Sequence, residues 1–161
     1  PQTFGHPRAG CRRRKGRTRM NIDAIRNGIV IDHITAGRGM EIYRLLHLDS
    51  LDCSVAIIKN VTSAKMGKKD IIKIDADLPL DMDILGYVDP GITVDIIRNG
   101  ELAEKRRMDL PERLTNVIFC KNPRCITSTE QELPHVFRLS DREGRVYRCL
   151  YCETKAKTAE S

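Results

Sequence analysis

Four cysteines constrain this chain more than any other feature of its sequence. Cys120 and Cys125 enclose "KNPR", Cys149 and Cys152 enclose "LY", and 23 residues separate the two pairs. Zinc takes four tetrahedral ligands and favours thiolate, and Cys149-x2-Cys152 is the spacing of a metal-binding knuckle. Cys120-x4-Cys125 is a wider loop that Pro123 helps to turn. Four sulfurs would close the coordination sphere and leave no position for a reactive water, so the spacing predicts one structural zinc ion. Disulfides, buried unpaired thiols and an iron-bearing electron carrier are other readings of the same positions. The segment carrying the quartet is about 50 residues, a size at which an apolar core alone rarely suffices. A thiolate zinc site supplies about 10–16 kcal/mol at neutral pH. The metal therefore predicts a folded module; what the module does is a separate question.

The chain of 161 residues fits one ordinary domain or two small ones. It has no run of about 18 apolar residues and no apolar segment of a signal peptide, so the cytoplasm is the expected compartment, where thiols stay reduced. The net charge of +6 is unevenly placed. Seven of the 28 Lys/Arg lie in residues 1–19, with no acid, leaving 21 bases against 22 acids in the remainder. A folded nucleic-acid-binding surface usually carries a basic excess. Here only the tract "CRRRKGRTR" has one, and a zinc-ribbon protein binding nucleic acid through that tail stands as the alternative function. Residues 1–19 lack apolar patterning and are expected to form a disordered basic extension.

From Met20 the pattern is regular. "GIVIDHI", "CSVAIIKNV", "DIIKIDA" and "ITVDIIR" read as strands, the second opening at Cys53. "GRGMEIYRLLHLD" and "LPLDMDILGYV" have helical spacing, the latter stopped by "DPG". "TSAKMGK" reads as a polar loop. Asn99-Gly100 is a strong hairpin signal and makes "ELAEKRRM" the return strand. The resulting order, β-α-β-β-α-β plus a hairpin strand, predicts an α+β, ferredoxin-like domain over residues 20–109, with an antiparallel sheet and both helices on one face. "LPER" breaks the pattern, and a new unit begins at "NVIFC". With "HVFRL" and "RVYRC" as strands, it predicts a small all-β zinc domain over 110–155 and a flexible tail over 156–161.

No order of Ser, His and Asp, no phosphate-cradling glycine loop and no carboxylate pair suggests an active site. "GRG" at Gly37–Gly39 is too short for a dinucleotide fingerprint. Asp32 and His33 interrupt an apolar strand. Alternation places them on opposite faces, so at most one points inward with Ile31. Lys73 and Lys105 also fall on strands, where solvated side chains are the plain reading. Cys11 and Cys53 have no evident partner.

Taken together, "VIDHI", "MGKKDIIKI", "LPER", "NVIFCKNPRC" and "YRCLYC" resemble, in order and spacing, the regulatory chain of aspartate carbamoyltransferase, from about Met20 to Lys155. The resemblance implies a non-catalytic subunit of pyrimidine biosynthesis. Its first domain would bind nucleotide effectors (CTP or UTP as inhibitor, ATP as activator) and pair with a second copy through its sheet. Its zinc domain would dock on the catalytic chain. Lys105 and His33 match residues that meet the effector's phosphates, and Lys73 one near ribose and base. Asp32 matches an aspartate of the same pocket, and Ile25, Val30 and Ile97 match apolar or backbone contacts. Asp95 stands where the family has Asn, and Gly100 where it often has Tyr. Cys120, Cys125, Cys149 and Cys152 match the zinc ligands. Asn122, Arg124 and Glu153 fall at contacts with the catalytic chain.

Overall fold

The structure is a computed structural model that describes residues 25–157. The extension expected over residues 1–19 lies outside the described residues, as do residues 158–161.

Strands β1 (Gly28–Thr35), β2 (Val55–Ser63), β3 (Gly67–Ile74), β4 (Thr93–Arg98) and β5 (Glu101–Arg107) alternate with helices α1 (Gly39–Leu45) and α2 (Met82–Val88) in the predicted order. The strands make one antiparallel sheet, ordered β2-β3-β1-β4-β5. Alternation explains the layering. Ile29, Ile31, Ile72, Ile74, Val94 and Ile96 share one face and enter a single core with Ile42 of α1 and Leu85 of α2. Each such side chain contributes roughly 1.5–3 kcal/mol by leaving water. Both helices therefore cover the same face. The interleaved residues Val30, Asp32, Lys73 and Asp95 lie on the other face and stay half-buried.

One polar side chain is fully buried among these apolar ones. Asp70 Oδ2 accepts from the backbone N–H of Gly37 and of Gly39, both at 3.1 Å, and its Oδ1 accepts from Asn60 N–H at 3.0 Å. Arg38 provides no side-chain cap for α1, so the carboxylate from β3 takes that duty. Helix α2 has its own cap, with Asp81 accepting from Asp83 and Ile84 N–H.

Several elements differ from expectation. Gly67 and Lys68, expected in the polar loop, extend β3 and pair with Ser63 and Thr62, which extend β2. Helix α1 stops at Leu45; His47 turns to φ +52° and the chain resumes as a short 3-10 turn, Leu48–Ser50. Helix α2 begins only at Met82, after its Asp81 cap, and Cys53 precedes β2 rather than opening it. Strand alternation also fails at Asp32-His33. A bulge lies between Ile31 and Ile34 in the β1–β3 register, and His33 takes φ +59°. The bulge sends both side chains away from the core.

A second sheet is built from β6 (Arg113–Thr115), β7 (Val136–Asp141) and β8 (Val146–Cys149), in that order. Strand β6 was not expected and comes before "NVIFC". Leu114, Phe137 and Tyr147 form its core with Cys125 and Cys149. The link between the sheets is held from both sides. A side chain on Gly86 of α2 would meet the carbonyl oxygen of Asp109 at 2.1 Å, so only glycine allows that approach. Tyr87 meets Tyr147 edge-on, with ring centres 5.3 Å apart. Tyr147 donates a 2.7 Å hydrogen bond to the Pro111 carbonyl, and Arg142 pairs with Asp109 and Glu112. Burial, with Tyr87 beside it, pushes the Tyr147 hydroxyl up to about 12, so it remains a donor at neutral pH.

Candidate ligand face and metal centre

Cross-strand register arranges the helix-free face of the first sheet into three rows. The middle row runs Lys73, Val30, Asp95, Lys105 across β3, β1, β4 and β5. Two residues along the strands, Asp32, Thr93 and Arg107 form a second row. Two residues the other way lie Gly28 and Ile97, with Leu102 opposite Ile97 beyond a bulge that puts it three residues from Lys105. Successive rows are about 6.8 Å apart, from the rise of an extended strand.

The three rows differ in chemistry. At the first end, His33, Lys65, Thr93, Lys105 and Arg107 line a cleft of about 510 Å³. His33 Nδ1 shares a 2.9 Å hydrogen bond with Thr93 Oγ1, which fixes the ring at the mouth of the cleft. Asp32 is bound by Lys69 Nζ at 2.8 Å and 3.0 Å through its two oxygens. Burial opposes ionisation of Asp32, but the Lys69 ammonium and the His33 N–H outweigh it and hold the carboxyl below its ordinary range. In the middle row, Lys105 Nζ is 3.7 Å from Asp95 Oδ1. At the other end, Ile25 packs over Gly28, where any side chain would also strike the Ile74 carbonyl. Arg26 and Asn27 are tied there to the β4–β5 turn by the N–H groups of Gly100 and Asn99.

The cleft thus brings together His33 and Lys105 among the sequence-predicted residues. Val30, Lys73, Asp95 and Ile97 lie on the adjoining rows of the same face, outside the cleft wall. The sequence reading missed Lys65, Lys69, Thr93 and Arg107. The alternation of β3 and β5 could have placed Lys69 and Arg107 on this face, but the cross-strand pairing of Lys69 with Asp32 and the position of Lys65 depend on the fold.

The four cysteines converge. All four Sγ atoms lie within 4.8 Å of one another. Cys120 and Cys152 sulfurs are 3.6 Å apart, and those of Cys125 and Cys149 are 3.8 Å apart. A tetrahedron with zinc–sulfur bonds of about 2.3 Å has edges of about 3.8 Å, so the residues fit one structural zinc. Backbone N–H groups of Cys152 and Tyr151 face the Cys149 sulfur, and Asn122 N–H faces that of Cys120. Thr127 Oγ1 donates to Cys125 Sγ at 3.1 Å. Such donors orient and stabilise thiolate ligands. Burial, reinforced by the neighbouring sulfurs, pushes the Cys120 thiol up to about 12, and burial also raises that of Cys149. At Cys152, hydrogen bonds from Thr154 overcome desolvation and bring the thiol down to about 6.

Asn122 joins the two cysteine loops, donating to Thr154 Oγ1 at 3.2 Å while its Oδ1 accepts from Arg124 N–H. Its side chain is thus engaged within the domain. Glu153 sits at φ +61°, with its carbonyl accepting from Arg148, and its side chain is exposed, as is that of Arg124. Four apolar side chains adjoin ligand cysteines and face solvent: Phe119 (53% exposed), Ile126 (50%), Leu150 and Tyr151. The sequence reading did not single them out. Their place immediately beside inward-pointing ligands was the available signal.

The sequence pattern described as "aspartate carbamoyltransferase regulatory chain, allosteric domain" matches residues 20–109. That described as "aspartate carbamoyltransferase regulatory chain, metal binding domain" matches residues 112–161. The aspartate carbamoyltransferase regulatory chain of Clostridium botulinum (strain Hall) is 51% identical over 134 residues, covering 83% of this chain and 92% of its own. That of Clostridium tetani is 48% identical over 142 residues, 88% of this chain and 99% of its own. That of Bifidobacterium longum is 42% identical over 138 residues, 86% and 99% respectively. The nucleic-acid reading of the basic extension gains no support from these matches. The chain belongs to the aspartate carbamoyltransferase regulatory chain family, with an allosteric domain followed by a metal-binding domain.

Proposed function

We propose that this chain is a non-catalytic cytoplasmic subunit that binds nucleotide effectors on the helix-free sheet face and passes their effect to a docked catalytic chain. One observation carries the reading: the face passes from a cleft lined by His33, Lys65, Lys105 and Arg107, past Lys73 and Asp95, to apolar Ile25, Ile97 and Leu102. A nucleotide has the same order in phosphates, sugar and base. His33, Lys105 and Arg107, with Lys65, would take the phosphates. Lys73 and Asp95 would meet the sugar. Ile25, Ile97 and Leu102 would face the base. CTP, UTP and ATP are the effectors the family resemblance implies.

Strand β5 joins the ligand face to the link. Two residues beyond Arg107 the chain reaches Asp109, which Gly86 and Arg142 contact, and then Pro111, which Tyr147 contacts. An effector that preferred one arrangement of this link would bias the metal domain, with a coupling typically of about 1–3 kcal/mol. The exposed side chains beside the zinc ligands, with Arg124 and Glu153, would form the surface that docks on the catalytic chain. A second copy would add to the sheet. Every residue of β5 is exposed, and as an edge strand it has unpaired backbone groups along one side.

Lys105→Ala tests the ligand face. The expected result is loss of ATP and CTP response in the complex assembled with its catalytic chain, with assembly itself intact. A complex that forms and still responds normally would remove Lys105 from the site.

A further inference from the structure

We propose that Asp95 selects ribonucleotides over deoxyribonucleotides, its carboxylate accepting a hydrogen bond from a sugar hydroxyl. The inference rests on the nucleotide reading above and adds the chemistry of the middle row. Asp95 Oδ1 is sealed from solvent and has no hydrogen-bond partner; it is the one such buried side-chain atom among the described residues. Its ion pair with Lys105 spans 3.7 Å, longer than a hydrogen bond. Three other buried or half-buried carboxylates are filled. Asp32 is held by Lys69, Asp70 by three backbone N–H groups, and Asp89 by Thr35 and Gly91. A buried acceptor without a donor is costly. On a ligand face it marks a place where the ligand brings the donor.

Position decides which donor. Asp95 lies one row, about 6.8 Å, from Thr93 and Arg107 of the cleft and one row from the apolar end, with Lys105 beside it in its own row. With phosphates at the first and base at the last, the sugar falls between them. Val30, which has no polar side-chain atom, separates Asp95 from Lys73 in the row. A ribose presents its 2′- and 3′-hydroxyls as donors. A divalent cation suits the place poorly, because the Lys105 ammonium already faces this oxygen and Asp32 is committed to Lys69.

The test is calorimetric titration of the zinc-loaded full chain with ATP, 2′-deoxyATP and 3′-deoxyATP. At least one deoxy analogue is expected to bind roughly 10- to 100-fold more weakly than ATP, the range for a lost hydrogen bond to a charged group. Asp95→Ala should close most of that gap. Asp95→Asn keeps an acceptor oxygen without the charge and should leave a smaller gap, roughly 2- to 10-fold, which separates hydrogen bonding from any effect on folding. Equal binding of all three nucleotides by the native chain would overturn the inference, as would a gap that survives in Asp95→Ala. With CTP and UTP added, a preference between them that disappears in Asp95→Ala while the ribose gap remains would place the carboxylate on the base and also overturn it. Failure of ATP to bind the native chain at all would instead sink the nucleotide reading itself, and this inference with it.

Discussion

Asp32 shows how a single side chain can be structural while lying beside a residue of the cleft, His33. Its carboxyl is held below the usual range by Lys69 and the His33 N–H, against the opposing effect of burial. A depressed folded pKa stabilises the fold above the ordinary carboxylate value of about 4 and loses that stabilisation as pH falls through the folded value. Lys69→Met should therefore raise the titration of Asp32, followed by carboxyl-carbon NMR, and acid unfolding should begin at a higher pH. An unmoved titration would remove Lys69 as the cause. None of this was legible in the sequence. Alternation put Asp32 and His33 on opposite faces, whereas the bulge turns both outward and a lysine 37 positions away completes the pair. A bulge exists only relative to the partner strand's register, so one strand's own residues do not reveal it.

Local chemistry made most of the elements readable. β-Branched runs located four strands of the first sheet, and Asn99-Gly100 located the fifth as the return of a hairpin. Asn99 at φ +53° and Gly100 at φ +77° take the backbone that a two-residue hairpin turn needs. Nothing lies near enough to Gly100 to obstruct a methyl group, so any penalty there is conformational. Gly100→Ala should lower the unfolding free energy by about 1 kcal/mol, measured in urea. An unchanged midpoint would mean that the turn relaxes into another type. Strand β6 escaped detection because three residues, "RLT", are too few to establish a period. The ends of α1 and α2 were overrun because apolar spacing continues past the points where His47 and the Asp81 cap stop the helices. Likewise, the cysteine quartet announced its own convergence, whereas the three-row face appears only once four strands are set in register.

At the scale of the whole molecule, the two cores depend on different forces. The first has twelve buried apolar residues and needs no metal to account for it. The second is small and includes two of the zinc ligands among its buried residues. Purified chain should carry one zinc, measured by elemental analysis. Strong chelation or Cys149→Ser should melt the three-stranded sheet in amide NMR spectra while signals of the five-stranded sheet persist, and should free an assembled catalytic chain. Survival of the small sheet without metal would contradict this division. Between the cores, α2 rests directly on main chain at Gly86, with no side chain as cushion. A joint made that way has no slack: displacement of the helix must be handed on to Asp109 rather than absorbed, and even one added methyl group at position 86 would pry the joint open.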